Sequence, residues 1–458
     1  MPNSAVVIGA GMAGLAVARV LADRFERVTL VERDALPEAA DFRSGVAQGR
    51  QVHVLLARGE EILERLFPGF REELLALGAV ELVWGRDVRW YHFGGWKQVH
   101  DSPFRSLSAT RMLIEAVVRR RLRADDHVVI RDRTEVLGLL ADGDRIEGVK
   151  LAGGERLGAE LVVDASGRES RAPILLEALG FPRPRESVVN AHLGYSTRFY
   201  RPPEGVTFPW KFLLIHPTPP RSNRMAAIVP VEGNRWHVVL CGVSRDYPPT
   251  DAGEYLDWTQ TLASDEVYQA LRLAEPISPI WGYRRTENRR RHYEELERHL
   301  EGFLALGDAV CAFNPVYGQG MSTGAIGAEL VGALLDKGRL GRDLSERFYD
   351  KLAGKLVVPW LLATSEDFRY PSTEGEPPGR AVRALSAYID RVLRASVRHK
   401  ATYEAFLHVM HMVSSPAALF RPDVLLAAAR APRADMSPAP TAPVTIERTE
   451  TPPEEQIR

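Results

Sequence analysis

Cysteine is scarce: Cys241 and Cys311 are the only two in 458 residues. That is too few for a disulfide framework or a cysteine metal site, and it suits a reducing cytoplasm. No run of 18 apolar residues occurs, so no membrane span is expected. Neither sign of charge is in excess, with 59 Lys and Arg against 60 Asp and Glu, which argues against nucleic-acid or anionic-membrane partners. Arginine is common but dispersed, and its densest run, 284–291, is expected to be a solvated face. A nucleotide fold is entered by residue 5, so no signal peptide is expected. What is left is an ordinary globular composition, 45% hydrophobic and 26% charged. The length allows two or three domains, or one large α/β unit with an inserted sheet.

The first forty residues organise the chain. Residues 5–8 form a short apolar, β-branched run of the kind that makes a buried parallel strand. It leads into Gly9-Ala10-Gly11-Met12-Ala13-Gly14, then an alanine-rich helix to about Arg24, then a second buried strand at 28–31 ending in Glu32. This is the dinucleotide fingerprint in its required context of strand, glycine turn, helix, strand and acid. Gly9 permits the tight turn, Gly11 lets backbone approach a pyrophosphate, and Gly14 lets helix and strand pack closely. Met12 and Ala13 begin the helix whose free N–H groups and dipole favour the pyrophosphate. Glu32 is placed to bind a ribose hydroxyl pair, with Arg33 beside it. This stretch alone admits either NAD or FAD.

Further along, residues 53–66 carry apolar side chains at helical spacing, a second helix covers 71–77, and the aromatic, glycine-containing segment 80–100 reads as short strands. Thr110 is a candidate N-cap for a helix beginning at Arg111 and ending near Leu122. Strands follow at 128–130 and 134–140, with a hairpin turn at Asp142-Gly143-Asp144, and a buried strand at 160–164. From about 186 to 285, strands succeed one another without intervening helices, which predicts an antiparallel sheet. A helix is expected near 251–273. Residues 302–308 return to the parallel-strand pattern, 319–336 is a helix, and the chain is mostly helical to about 430. The tail from 431, rich in Pro, Thr and charge, is expected to be disordered.

Two later stretches repeat the theme of a buried strand ending in an acid: Leu161-Val162-Val163-Asp164 and Leu304-Ala305-Leu306-Gly307-Asp308. After Asp308 a loop with Pro315, Gly318 and Gly320 feeds a helix start that includes Met321. This is the logic of a long, two-ended cofactor. The glycine turn and Glu32 suit the adenosine and pyrophosphate of FAD, and Asp308 can accept hydrogen bonds from the ribityl hydroxyls. The helix start at 318–321 suits the flavin edge that gains negative charge on reduction.

Together these motifs resemble the glutathione-reductase-type FAD fold, and in particular the para-hydroxybenzoate-hydroxylase-like (class A) flavin monooxygenases, over roughly residues 5–370. A nearer likeness is to actinobacterial polyketide-pathway flavoenzymes, namely the polyether epoxidases and the FAD-containing spirotetronate decalin synthases. It is carried by the segments 45–53, 164–171, 307–322 and 359–370. The resemblance implies an α/β, Rossmann-like FAD-binding domain over 1–185 and 286–345, with short inserted strands at 80–100. It further implies an antiparallel substrate sheet over 186–285, a helical region over 346–430 and a tail over 431–458. Arg111 would contact the cofactor, the backbone near Val136 would meet the adenine, the loop 48–53 would lie near flavin or substrate, and the sheet would roof a substrate cavity.

The implied activity is epoxidation or hydroxylation of an apolar polyketide-like metabolite by way of a flavin C4a-hydroperoxide. The alternative is a non-redox [4+2] cyclase that keeps FAD as a structural part. The family's usual Asp-Gly is here Asp164-Ala165-Ser166-Gly167, and no second glycine fingerprint follows. NADPH would therefore enter transiently, or a partner flavin reductase would supply electrons. The Trp-x-Trp-x-Ile-Pro signature of flavin halogenases does not occur. No acid–base pair stands out, so no catalytic side chain is assigned. The aromatics Trp84, Trp90, Trp96, Tyr195, Phe199, Phe212 and Trp236 are read as core rather than cavity lining.

Overall fold

The computed structural model describes residues 3–43, 45–298, 300–338, 340–432 and 447–448. The tail expected to be disordered lies almost wholly outside them. A five-stranded parallel sheet forms the first layer, in the order Phe303–Ala305, Leu161–Asp164, Ser4–Ile8, Arg27–Val31, Val128–Arg131. Both faces of this sheet are covered, which is why its strands are nearly continuous apolar runs. The helices Met12–Ala22 and Gln319–Leu335 cross closely, because Gly307 and Gly324 leave room for Ala13; a Cβ at either would lie within 3 Å of the Ala13 Cβ. The expected hairpin is present as Val136–Asp142 and Arg145–Leu151, and Thr110 caps Arg111–Arg123 by accepting from the Leu113 N–H.

The second layer is an eight-stranded sheet. Strands Gly194–Arg201, Arg235–Gly242, Arg224–Val231 and Phe212–Ile215 pair antiparallel, as the sequence pattern predicts. Strand Val88–His92 then joins Phe212–Ile215 in parallel, and Gly95–Trp96 closes that edge. Two of the short strands expected over 80–100 are thus part of this sheet. Alternation along Arg235–Gly242 separates its faces: Trp236, Val238 and Leu240 pack toward Tyr255 and Val267, whereas Val239 and Cys241 face the other way, toward the C-terminal helices.

Three local expectations are corrected. The helix read over 53–66 begins at Ala57, leaving His53 and Val54 outside regular secondary structure and against the site. The helix near 251–273 is two, Ala252–Thr259 and Glu266–Leu271. The arginine run is a solvated face only at Arg284 and Arg285, because Asn288–His292 is a strand between Arg185–Val189 and Cys311–Ala312. Within it Arg291 is buried, donating to Glu186 and to the Ala309 carbonyl. The C-terminal helices are Arg342–Asp367, Arg380–Ala395, Lys400–Met410 and Pro422–Arg430. No helix among the described residues is long and apolar enough to cross a membrane.

Candidate functional site

The carboxyl ends of the parallel strands open on one cavity of about 370 Å³, the position where open α/β sheets bind ligands. Gly9, at φ +98°, turns so tightly that a Cβ would lie 2.7 Å from the Ala165 carbonyl oxygen. At Gly14 a Cβ would fall onto the Gly9 carbonyl oxygen. Gly11 differs: its Cβ would project into the cavity, no nearer than 3.8 Å to any atom. Helix Met12–Ala22 starts at Gly11 and helix Gln319–Leu335 at Gly318, and neither start carries a side-chain cap. Two sets of free N–H groups therefore face one cavity, an arrangement that suits a ligand with two electron-rich ends.

The sequence-predicted residues converge here. Gly9, Gly11, Met12, Ala13, Glu32, Arg33 and Val136 line one part of the wall, and Arg111, Asp308, Pro315, Gly318, Gly320 and Met321 line the rest. Gly14 does not reach the cavity and shapes the turn from behind. Asp164 also lines it, but its carboxylate is occupied by the Ser166 N–H at 2.9 Å and by the hydroxyls of Ser166 and Ser170 at 2.5 Å each.

A chain of five side chains runs along this wall, and two of them, Arg43 and Glu115, were not singled out by local pattern reading. The Glu32 carboxylate accepts from the Ala10 N–H at 2.8 Å and from Arg43 at 3.0 Å. Arg43 in turn lies 3.4 Å from Glu115, which accepts from Arg111 at 2.7 Å. Arg111 donates to His53 Nε2 at 3.2 Å, and His53 Nδ1 donates to the Gln51 carbonyl at 2.9 Å. Arginine can only donate, so the histidine is fixed as its Nδ1–H tautomer. Burial, then the Arg111 charge, pushes His53 down to about 3. Burial pulls Glu115 upward, but Arg111 and Arg43 outweigh it and hold the carboxyl below its ordinary value. Asp308 is raised by burial against the opposing charges of Arg168 and Arg111. Arg43 lay in a segment readable only as a loop, and nothing local marks it.

A second cavity of about 170 Å³ adjoins the first. They share wall residues, among them Gln51, Val52, Val54, Asn314, Pro315 and Gln319. The buried Gln319 Oε1 at this junction has no partner among the described residues. The chamber is walled by the large sheet on one side and the C-terminal helices on the other. Trp84, Trp90, Tyr195 and Phe212 line it, which corrects their assignment to plain core; Trp96, Phe199 and Trp236 do not.

The junction is pinned by Asp367, at the end of Arg342–Asp367. Its carboxylate accepts from Asn288 Nδ2 and from Asn314 Nδ2, at 2.5 and 2.8 Å, and Asn314 caps the turn Pro315–Tyr317 through the Val316 N–H. Replacing Asp367 by alanine strands two buried amide donors. The expected loss is about 2–4 kcal/mol of unfolding free energy, read by urea denaturation. Unchanged stability would show that the pin is dispensable.

The residues present fit FAD: two uncapped helix starts, a glycine with room for a pyrophosphate, and acids at three strand ends. Comparison with known proteins agrees. A family model described as an FAD binding domain matches residues 3–337. The chain is 30% identical over 435 residues, 90% of each chain, to Protein Rv3254 of Mycobacterium tuberculosis. In fold it is similar to PqsL, described as a probable FAD-dependent monooxygenase from Pseudomonas aeruginosa, with TM-score 0.58 and 18% identity over 89% of this chain and 99% of that one. It is also similar to a triple mutant of the flavin-dependent brominase Bmp2, with TM-score 0.64 and 14% identity over 92% and 98%. The chain belongs to the FAD-binding para-hydroxybenzoate-hydroxylase-like family of class A flavin monooxygenases.

Proposed function

We propose that this protein is an FAD-dependent monooxygenase that epoxidises or hydroxylates a largely apolar, polyketide-like metabolite. The observation that carries the reading is the aromatic-walled chamber joined to the flavin end of the cofactor cavity. When bound, the flavin supplies the redox and oxygen chemistry. The protein's task is to bind, orient and exclude water.

In this reading the turn at 9–14 holds the pyrophosphate and Glu32 meets the ribose while also buttressing the turn through the Ala10 N–H. Asp308 faces the ribityl hydroxyls, and the helix start at 318–321 meets the flavin edge. Arg111, oriented by Glu115, and neutral His53 lie along the same wall, where a charged imidazole would oppose Arg111. NADPH entering transiently, or a flavin reductase, supplies electrons.

The test is turnover of candidate polyketide polyenes by FAD-loaded enzyme with NADPH, with and without an added flavin reductase, under isotopically labelled oxygen. One labelled oxygen atom per product molecule is expected. Equal turnover without reductant and without oxygen would instead make the protein a [4+2] cyclase that holds FAD as a structural part.

A further inference from the structure

One wall of the chamber belongs to the chamber alone. Trp90 and His92 stand at the end of Val88–His92, and His216 follows the paired strand Phe212–Ile215; none of the three lines the cofactor cavity. Trp90 and His92 stack with centroids 5.4 Å apart and planes 9° from parallel. The Trp90 indole Nε1–H donates to His216 Nδ1 at 2.7 Å. Indole nitrogen can only donate, so His216 Nδ1 must accept, and in the neutral ring the proton resides on Nε2. Among the described residues, none accepts a hydrogen bond from that Nε2–H.

Apart from the Gln319 Oε1 acceptor at the junction and the unpartnered His92 Nδ1, two further free polar atoms of the chamber can also donate. His411 Nδ1 accepts from the Ala57 N–H at 3.2 Å, leaving its Nε2–H without a partner. The Tyr195 hydroxyl is also buried and unpartnered. Among the described residues, no lysine or arginine lines the chamber, while Glu366 and Asp367 do. The Lys97 amine, pushed down by burial to about 7, lies behind the Trp90 ring, 5.5 Å from its centroid, bonded to the Leu393 carbonyl and to Ser396. Burial, then the Lys97 charge, pushes His216 down to about 3, so it stays neutral at working pH.

We propose that His216 is a substrate-positioning residue: its Nε2–H donates to a neutral carbonyl oxygen on an otherwise apolar substrate, and the chamber discriminates against carboxylates. A ketone, ester or amide meets a fixed donor between aromatic walls. A carboxylate would be desolvated with no cation in the lining to receive it and with two acidic side chains, Glu366 and Asp367, across the chamber. The inference rests on the reading that this chamber takes the substrate. It gives the substrate one oriented end, held away from the junction with the cofactor cavity.

The test is equilibrium binding to the FAD-loaded protein of three naphthalene probes: 2-acetylnaphthalene, 2-ethylnaphthalene and 2-naphthoate. Binding is read by quenching of tryptophan fluorescence, since Trp84 and Trp90 line the chamber. At pH 8 the ketone is expected to bind about fivefold tighter than the hydrocarbon, the scale of one neutral hydrogen bond. Naphthoate is expected to bind at least about tenfold more weakly than the ketone. His216→Phe should abolish the ketone's advantage while leaving the hydrocarbon within about twofold, and His216→Gln, which keeps an N–H donor, should restore part of it. The proposal is overturned if the ketone does not bind, if it binds no better than the hydrocarbon, if its advantage survives His216→Phe, or if naphthoate binds as well. None of these readouts consumes oxygen, so failure of labelled-oxygen transfer and failure of the anchor are separate results.

Discussion

A Gly11→Ala variant is expected to fold like the parent protein and to be purified without flavin, its FAD affinity at least about a hundredfold lower, or roughly 2.7 kcal/mol. The backbone at Gly11 is extended, at φ −76° and ψ 177°, which alanine adopts without strain. The added methyl would touch no protein atom closer than Arg111 Nη2 at 3.8 Å. Its volume is taken only from the space in front of the helix start, where a pyrophosphate must come against the backbone. Gly14→Ala makes the contrast. There the methyl falls onto the Gly9 carbonyl oxygen, so the turn itself must open. The expected loss is about 3 kcal/mol or more of folding stability as well as the flavin. Flavin absorbance per mole of protein, circular dichroism and urea midpoints separate the two outcomes. Gly11→Ala protein that keeps its flavin would remove the pyrophosphate from this turn.

The cofactor half of the site was legible because its signals are local. A glycine turn between a β-branched run and a helix states its own geometry, and Gly9, Gly11, Glu32, Asp308 and Gly318 all reach the cavity. Gly14 was legible too, as a packing residue. Arg43 was not, since its partners Glu32 and Glu115 lie 11 and 72 positions away and no periodicity links them. The chamber was harder still. Residues alternating along Arg235–Gly242 or Phe212–Ile215 read the same whether they face packed protein or a cavity. Only the apposition of the sheet with helices some two hundred residues later decides that Trp90 and Tyr195 border open space. His216 acquires its meaning from Trp90, 126 positions away, which alone sets its tautomer.

Stability is expected to fall steeply as pH drops below 6.5. His53, His216, His237 and His411 are each pushed by burial from an ordinary 6.5 to about 3, and His92 moves the same way. In this range the unfolded chain binds protons at these sites and the folded chain does not. Their contribution is therefore whole above pH 6.5 and is lost progressively toward pH 3. Asp367 opposes them. Burial, opposed by the Asn314 hydrogen bond, raises it from 3.8 to about 7, so below that value the folded state holds a proton the unfolded chain has released, and acidification stabilises there, as it does at Asp308 and Glu366, which burial also raises. Five histidines, against Asp367 in full and Asp308 and Glu366 in part, leave a net uptake of about three protons on unfolding, hence a slope of about 4 kcal/mol per pH unit. A reserve of about 5–15 kcal/mol would be consumed within about one to four units. Urea midpoints at pH 7, 6 and 5 should descend accordingly, with the slope against urea unchanged. His237→Gln, which can still donate to the Arg50 carbonyl as His237 Nε2 does at 3.1 Å, should flatten the dependence by one proton, about 1.4 kcal/mol per unit. Midpoints that stay level from pH 7 to 5 would mean that these imidazoles accept protons within the folded protein. They would then titrate near the ordinary 6.5 in the folded protein, without the shift that burial imposes.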